Sequence, residues 1–96
     1  MSKIIFSLPG GETTFELTED PVTIGRLPDN AIQIEDPSVS SHHAEILYAA
    51  DRHILRDLNS TNGTRVNTRQ ISEGPLHNGD RILFGKIEAH YVFNIV

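Results

Sequence analysis

Short runs in which every second residue is apolar, separated by turn residues, extend along this whole chain. Residues 4–8, 13–17 and 44–48 are three of these runs. Alternate side chains of a β-strand point to opposite faces, so each run predicts a strand with one buried face. No stretch of about 11 residues has the 3.6-residue period of an amphipathic helix. The pattern therefore predicts an all-β sandwich or barrel with little or no helix.

Turn residues separate the predicted strands. The dipeptides Asn62-Gly63 and Asn78-Gly79 favour tight turns, because asparagine and glycine tolerate positive φ angles. The segments 81–84 and 88–96 are expected to be the closing strands. In the last of them, three apolar residues are expected to share one face: Tyr91, Phe93 and Ile95.

The length and composition limit the number of domains and the cellular compartment. With 96 residues, the chain is expected to form a single domain, residues 1–96, around one small core. It has no cysteine, which excludes a disulfide framework, a cysteine-based zinc site and a thiol nucleophile. No apolar run approaches the ~20 residues of a membrane helix, and the N-terminal run is too short for a signal peptide. We expect a cytoplasmic, intracellular protein that does not act at a membrane.

The net charge argues against one class of partner. At −5, the chain is too acidic for nonspecific nucleic-acid binding, which depends on many lysines and arginines. A single phosphate needs only a local cluster of donors. The charge therefore excludes a nucleic-acid partner but leaves a local anion site open.

Three stretches of turn residues carry such donors. Gly25-Arg26 follows a predicted strand, residues 36–43 contain three serines, and residues 60–64 contain hydroxyls and an amide. A guanidinium matches two phosphate oxygens, and hydroxyls and turn N–H groups add further donors. Together the stretches predict an anion-binding surface on loops. Taken singly, each residue fits a plain turn former equally well, since Ser, Asn and Gly fill most loops.

A hydrolytic site is the first alternative. Ser40 or Ser41, His43 and Asp57 are the residue types of a catalytic triad. However, the histidine begins the strand directly after the serines, and the chain has no G-x-S-x-G elbow. A sandwich of this size also leaves little room for an enclosed substrate. We expect no catalytic residue and no enzyme.

A metal site is the second alternative. His42 and His43 are adjacent, so on a strand they point to opposite faces and chelate poorly. The other three histidines, His53, His77 and His90, are scattered, and no ligand spacing typical of zinc appears. We expect neither a metal nor a cofactor. One histidine of the pair is expected to brace the loop, while the other is solvated.

Four motifs in order give the chain a resemblance to the forkhead-associated (FHA) domain family. They are Gly25-Arg26, Ser40-x-x-His43 with Ala44-Glu45-Ile46, residues 57–64 with Val66-Asn67, and Gly79-Asp80-Arg81-Ile82. The resemblance covers about Ile4 to Ile95. It implies an eleven-stranded β-sandwich of two sheets, whose loops at one end bind phosphothreonine peptides without catalysis.

The resemblance also implies roles for the matching residues. Arg26 would clamp the phosphate, and Ser40 would add a hydroxyl to it. Thr61 would approach the phosphothreonine, and Asn62 would bond to the peptide backbone beside it. The supporting residues of the site would be four: Gly25, His43, Gly63 and Asn67.

Ser41 departs from the family pattern. The family often has a basic or amide residue at this position, which also reaches the phosphate, and here it is a short hydroxyl. Three residues are candidates to replace the missing donor: a protonated His42, Arg65 and Arg69. Ser38 and His42 are otherwise interpreted as bystanders, and the segment 67–72 is expected to read ligand residues beyond the phosphate.

The expected partner is a phosphothreonine-containing protein that a Ser/Thr kinase modifies. The chain is expected to be part of a larger protein or a small stand-alone adaptor. The competing hypothesis is a phosphate-independent interaction or dimerisation scaffold. Ser41 and the low overall basicity support that alternative, and binding of an unphosphorylated peptide at equal strength would favour it.

Overall fold

The computed structural model describes residues 2–93, which form eleven strands and no helix. The strands are β1 (Ser2–Leu8), β2 (Gly11–Glu16), β3 (Val22–Gly25), β4 (Ile32–Gln33), β5 (Ala44–Ala49), β6 (Arg52–Asp57), β7 (Thr64–Val66), β8 (Arg69–Ile71), β9 (Glu73–Pro75), β10 (Arg81–Phe84) and β11 (Ile87–Phe93). The predicted all-β class is confirmed. Across these residues, nothing helical is long and apolar enough to span a membrane.

The strands form two sheets, so the fold is a sandwich and not a barrel. One sheet has six strands in the order β2-β1-β11-β10-β7-β8, and the other has five in the order β4-β3-β5-β6-β9. The closing strand β11 pairs with β1, so that Phe93 lies opposite Ser2. The prediction for Ile95 lies outside the described residues.

The alternating residues of both sheets meet in one core. Ile4 and Phe6 of β1 and Ile82 and Phe84 of β10 are fully buried, and the rings of Phe6 and Phe84 stack with centroids 5.6 Å apart. Burying each such side chain stabilises the fold by about 1.5–3 kcal/mol. Tyr48 was expected to continue the apolar face of β5, but it is 49% exposed because it lies near the end of the strand.

The sheet registers gather four connections at one end of the sandwich. Ile24 pairs with Ala44 and Ala44 with Asp57, so the end of β3, the start of β5 and the end of β6 lie side by side. In the other sheet, Phe84 pairs with Thr64, which places the start of β7 and the end of β10 together. We call the connections 26–31, 34–43, 58–63 and 85–86 the loop end, and the opposite side the hairpin end.

At the loop end, the turn 85–86 is hydrogen-bonded both within its own sheet and to a loop of the other sheet. The Gly85 N–H donates to the Gly63 carbonyl at 3.2 Å, and the Lys86 N–H donates to Ser38 Oγ at 2.9 Å. The loops of one sheet are thereby fixed against those of the other. A surface built from several loops then keeps a defined shape.

Candidate functional site

Arg26 leaves strand β3 at the loop end and lies against the serine-rich connection. Its backbone N–H donates to the Ser40 carbonyl at 2.9 Å, and its Nε donates to the Val39 carbonyl at 3.1 Å. One terminal nitrogen, Nη2, lies 3.4 Å from Ser41 Oγ. Within residues 2–93, no carboxylate lies within ion-pair distance of this guanidinium. The side chain is therefore oriented by backbone and retains N–H groups for a ligand.

Gly25 makes this placement sterically possible. A Cβ at this position would collide with the Ser41 carbonyl oxygen and with the amide nitrogen of Asn30. A glycine at such a position serves either an unusual φ angle or a close approach of the backbone. The structure shows the close approach, because Gly25 is not among the residues with positive φ.

Asn30 is a supporting residue that the sequence analysis missed. Its Nδ2 donates to the Leu27 carbonyl at 2.8 Å and to the Ser41 carbonyl at 2.9 Å. The side chain is buried, and its Oδ1 has no hydrogen-bond partner among the described residues. Asn30 thus connects the 26–31 loop, which carries Arg26, to the serine-rich 34–43 loop. Nothing in the sequence indicated this role, since an asparagine after Pro-Asp is typical of any turn.

His43 is fully buried and braces the loops, which agrees with the expected role for one histidine of the pair. The Ser40 N–H donates to its Nδ1 at 3.1 Å, so Nε2 carries the ring proton and donates to the Gly63 carbonyl at 2.9 Å. Burial lowers the pKa of His43, and the bond to Gly63 opposes this only in part. The neutral ring therefore joins the 34–43 loop to the 58–63 loop.

Ser40 and Thr61 are brought together by this arrangement. The Thr61 N–H donates to Ser40 Oγ at 3.0 Å. The Ser40 hydroxyl still has its own proton to donate, and the exposed Thr61 hydroxyl makes no hydrogen bond in the described part of the chain. Both groups lie on the same surface as Arg26, whose N–H bonds to the Ser40 carbonyl.

Asp57 fixes the shape of the 58–63 loop. Its carboxylate accepts the hydroxyls of Ser60 and Thr64, both at 2.6 Å, and the Ser60 N–H at 3.0 Å. Burial opposes ionisation, but these hydrogen bonds outweigh it and lower the pKa of Asp57. The carboxylate makes no hydrogen bond to His43, whose two nitrogens are occupied by backbone groups. A catalytic triad is therefore not assembled.

Gly63 adopts the conformation that its place in the loop requires. Its φ angle is +83°, which side-chain-bearing residues rarely adopt. Its N–H donates to Ser60 Oγ at 3.0 Å, while its carbonyl accepts from His43. Gly63 thus lies where the loop turns toward strand β7.

Ser38 was interpreted as a bystander, and that interpretation was wrong. Its carbonyl accepts from Asn62 Nδ2 at 2.9 Å, and its hydroxyl oxygen accepts the Lys86 N–H. Its own N–H donates to the Asp36 carboxylate at 2.9 Å. Ser38 therefore connects three loops, and through its carbonyl it orients the Asn62 amide on the exposed surface.

Ser41 and His42 differ in position. Ser41 lies next to the Arg26 guanidinium, whereas His42 contacts Asp29, with 2.9 Å between Nε2 and the carboxylate. This hydrogen bond lowers the pKa of Asp29. His42 is therefore bonded to Asp29 of the 26–31 loop. In this position it does not replace the donor that is missing at Ser41.

Asn67 does not join the other site residues, contrary to expectation. Strand β7 carries it away from the loop end, where its Nδ2 donates to Asp80 at 2.9 Å and its Oδ1 accepts the Arg81 N–H at 3.0 Å. Asn67 therefore stabilises the turn before β10, at Asp80 and Arg81, and not the 58–63 loop. The segment 67–72 begins there and returns along β8, and the Ser72 carbonyl accepts the Asp57 N–H.

Comparison with known proteins places this geometry in a family. A family model described as FHA domain matches residues 22–85. The chain is 40% identical to the FHA domain-containing protein FhaA of Mycobacterium tuberculosis, over 82% of this chain and 15% of FhaA. It is 37% identical to the oxoglutarate dehydrogenase inhibitor of Corynebacterium jeikeium, over 88% of this chain and 58% of the inhibitor. The chain thus spans less than two thirds of these curated relatives.

Solved structures agree with that placement. One, from a structural and functional analysis of phosphothreonine-dependent FHA domain interactions, superposes with a TM-score of 0.92 at 34% identity and covers 99% of this chain and 98% of its own. The FhaA FHA domain, solved in complex with the intracellular domain of Rv3910, gives a TM-score of 0.88 at 35% identity over 95% of this chain and 99% of its own.

Proposed function

The chain belongs to the FHA domain family, and on that premise we propose that it is a non-catalytic module that binds phosphothreonine peptides through its loop end. The observation that carries the proposal is the Arg26 guanidinium, which the Val39 carbonyl orients and no described carboxylate neutralises. One similar solved structure comes from a study of phosphothreonine-dependent FHA domain interactions, which supports a phosphothreonine ligand for this chain.

The proposed contacts follow from the donors that the fold leaves unused. Arg26 supplies charge to the phosphate, and the hydroxyls of Ser40, Ser41 and Thr61 supply neutral hydrogen bonds. Charge-assisted hydrogen bonds are about twice as strong as neutral ones, so Arg26 contributes the largest single share. Asn62, held by the Ser38 carbonyl, offers its amide oxygen to the ligand backbone.

Non-catalytic action is supported by the hydrogen bonds of the histidine. A general base needs a free ring nitrogen beside a nucleophile, but both nitrogens of His43 are bonded to backbone groups inside the protein. We infer recognition without turnover. Residues 1–96 would form the module, and its partner would be a phosphoprotein that a Ser/Thr kinase produces inside the cell.

A phosphate-independent scaffold is the second candidate. The hairpin end exposes two aromatic side chains, Tyr48 at 49% and Phe93 at 39%, and both line a concave surface. Exposed aromatic residues are enriched in protein interfaces. The scaffold would bind a partner there with equal strength whether or not that partner is phosphorylated.

Titration of a phosphothreonine peptide library tests the first candidate. Arg26→Ala should weaken binding at least about tenfold, since hydrogen bonds to charged groups contribute about 1.5–3 kcal/mol. The melting temperature should fall by no more than a few degrees, because the side chain is exposed and gives up one hydrogen bond, to the Val39 carbonyl. The matched control is Arg52→Ala, an exposed arginine of the hairpin end, which should keep full affinity. Equal affinity of wild type and Arg26→Ala would refute the proposal.

A further inference from the structure

A small depression beside Asn62 carries two cationic side chains, Arg65 and Lys86. We propose that this depression binds an acidic side chain of the ligand, so that the chain selects phosphothreonine peptides with Asp or Glu near the phosphate. The inference rests on the proposed function and deepens it. Neither cation belongs to the motifs through which the sequence resembles its family.

The sheet register brings the two cations together. Arg65 lies in β7 between two residues that face the core side, Thr64 and Val66, so its own side chain points to the outer face of the six-stranded sheet. It pairs with Leu83 of β10. Lys86 lies in the turn that follows β10, where its N–H donates to Ser38 Oγ. Both side chains line the depression, together with Asn62, Gly63, Leu83 and Gly85.

Neither cation is neutralised within residues 2–93. The structure records ion pairs for Arg56, with Glu45 and Glu73, and for Arg81, with Glu88 at 4.0 Å, but none for Arg65 or Lys86. Hydrogen bonds from the hydroxyl and N–H of Ser38 lower the pKa of Asp36, and Lys86 adds to this, but the Asp36 carboxylate forms no ion pair with Lys86 in the described residues. In a chain with 13 acidic and 8 basic residues, carboxylates are available for pairing, so two unpaired cations at one depression favour an external acidic group.

The depression is continuous with the proposed peptide surface. Asn62 lines it and also carries the proposed bond to the ligand backbone. Ser38 connects Asn62 to Lys86, because its carbonyl accepts from the Asn62 amide and its hydroxyl oxygen accepts from the Lys86 backbone N–H. An extended ligand advances about 3.3 Å per residue, so a side chain within a few residues of the phosphothreonine reaches the two cations.

Peptide arrays test the inference with a charge-matched control. A phosphothreonine peptide is varied at each flanking position to Asp, Glu, Ala or Lys, and affinities are measured for wild type, Arg65→Gln/Lys86→Gln and Lys3→Gln/Arg52→Gln. Wild type should prefer the acidic residue over alanine by about three- to tenfold at one position, the range expected for two exposed ion pairs. The first variant should lose that preference, and the control, with the same change in net charge, should keep it.

Three outcomes would overturn the inference. One is equal affinity of wild type for the acidic and alanine peptides at every position. Another is an acidic preference that survives in Arg65→Gln/Lys86→Gln or disappears equally in the control. The third is the absence of any phosphothreonine binding, which overturns the proposed function as well. Binding that depends on phosphate but ignores the flanking acid contradicts this inference alone.

Discussion

Each end of the sandwich contains a buried histidine packed against an aromatic ring, yet the two ends differ in what that histidine bonds. At the loop end, His43 lies 5.8 Å from Phe84 between ring centroids, and both its nitrogens bond to backbone groups of different loops. At the hairpin end, His53 lies 5.7 Å from Tyr91, and its Nδ1 is 2.9 Å from the Tyr91 hydroxyl.

The difference teaches how one scaffold supports two kinds of surface. Side chain-to-backbone bonds at the loop end fix the shape of several loops and leave exposed hydroxyls and a guanidinium free to donate. The hairpin end closes with a side chain-to-side chain bond and exposes Tyr48 and Phe93. The first is suited to a charged, oriented ligand and the second to apolar contact.

Replacing each histidine by alanine should give the largest effects and should distinguish the two ends. His43→Ala leaves a cavity and two unsatisfied backbone groups, so it should lower the free energy of unfolding by about 3 kcal/mol or more and abolish phosphopeptide binding. His53→Ala should also destabilise the fold but leave phosphopeptide affinity unchanged. Urea unfolding and peptide titration give the two readouts. Loss of binding in both variants, at temperatures where both are folded, would contradict the distinction.

The pH dependence of stability should show both histidines. Burial lowers the pKa of His43 and of His53 in the folded chain, whereas an unfolded histidine titrates near 6.5. As the pH falls below about 6.5, the unfolded state therefore binds protons first, and the free energy of unfolding decreases by at most about 1.4 kcal/mol per pH unit for each histidine.

Urea unfolding between pH 5 and 8 measures this slope. His53→Phe should remove one contribution and leave that of His43. Asp57 contributes in a separate window, since its lowered pKa makes stability fall only below about pH 4. A free energy of unfolding that stays constant between pH 7 and pH 5 would show that neither histidine is held neutral by the fold.

The smallest expected effect is a gain at the hairpin end. Asn67 and Thr68 form the turn between β7 and β8 with φ angles of +50° and +73°, and a β-branched residue is strained there. Thr68→Gly should raise the free energy of unfolding by about 1 kcal/mol without changing peptide affinity. Thr14→Gly, in the exposed strand β2, should lower it. An equal loss for both variants would mean that Thr68 is not strained.

The strands and the exposed donors were predictable from the sequence because both depend on local order. Alternation identified the core residues of β1 and β5, and the resemblance carried by the motifs pointed to Arg26, Ser40 and Asn62 as site residues. The supporting bonds were not predictable, because they depend on which carbonyls the fold brings near a side chain. Asn30 and Lys86 therefore went unnoticed, and Ser38 was misinterpreted as a bystander.

Asn67 shows the reverse error. The family resemblance implied that Asn67 supports the same loop as Gly63, but strand β7 carries it away from that loop to a turn beside Asp80. Asn67 is close to Gly63 in the sequence, but β7 is extended, so the two residues lie at opposite ends of that strand. Tyr48 failed for a related reason, since alternation cannot tell where a strand leaves the core.

Amide chemical-shift mapping by NMR compares the two ends most directly. A phosphothreonine peptide is titrated into the labelled protein, and the unphosphorylated peptide serves as the control. The expected result is a set of shifts at Arg26, Ser40, Ser41, Thr61 and Asn62 that appears only with the phosphorylated peptide. Shifts centred on Tyr48, His53 and Phe93, or identical shifts with both peptides, would contradict phosphothreonine recognition at the loop end.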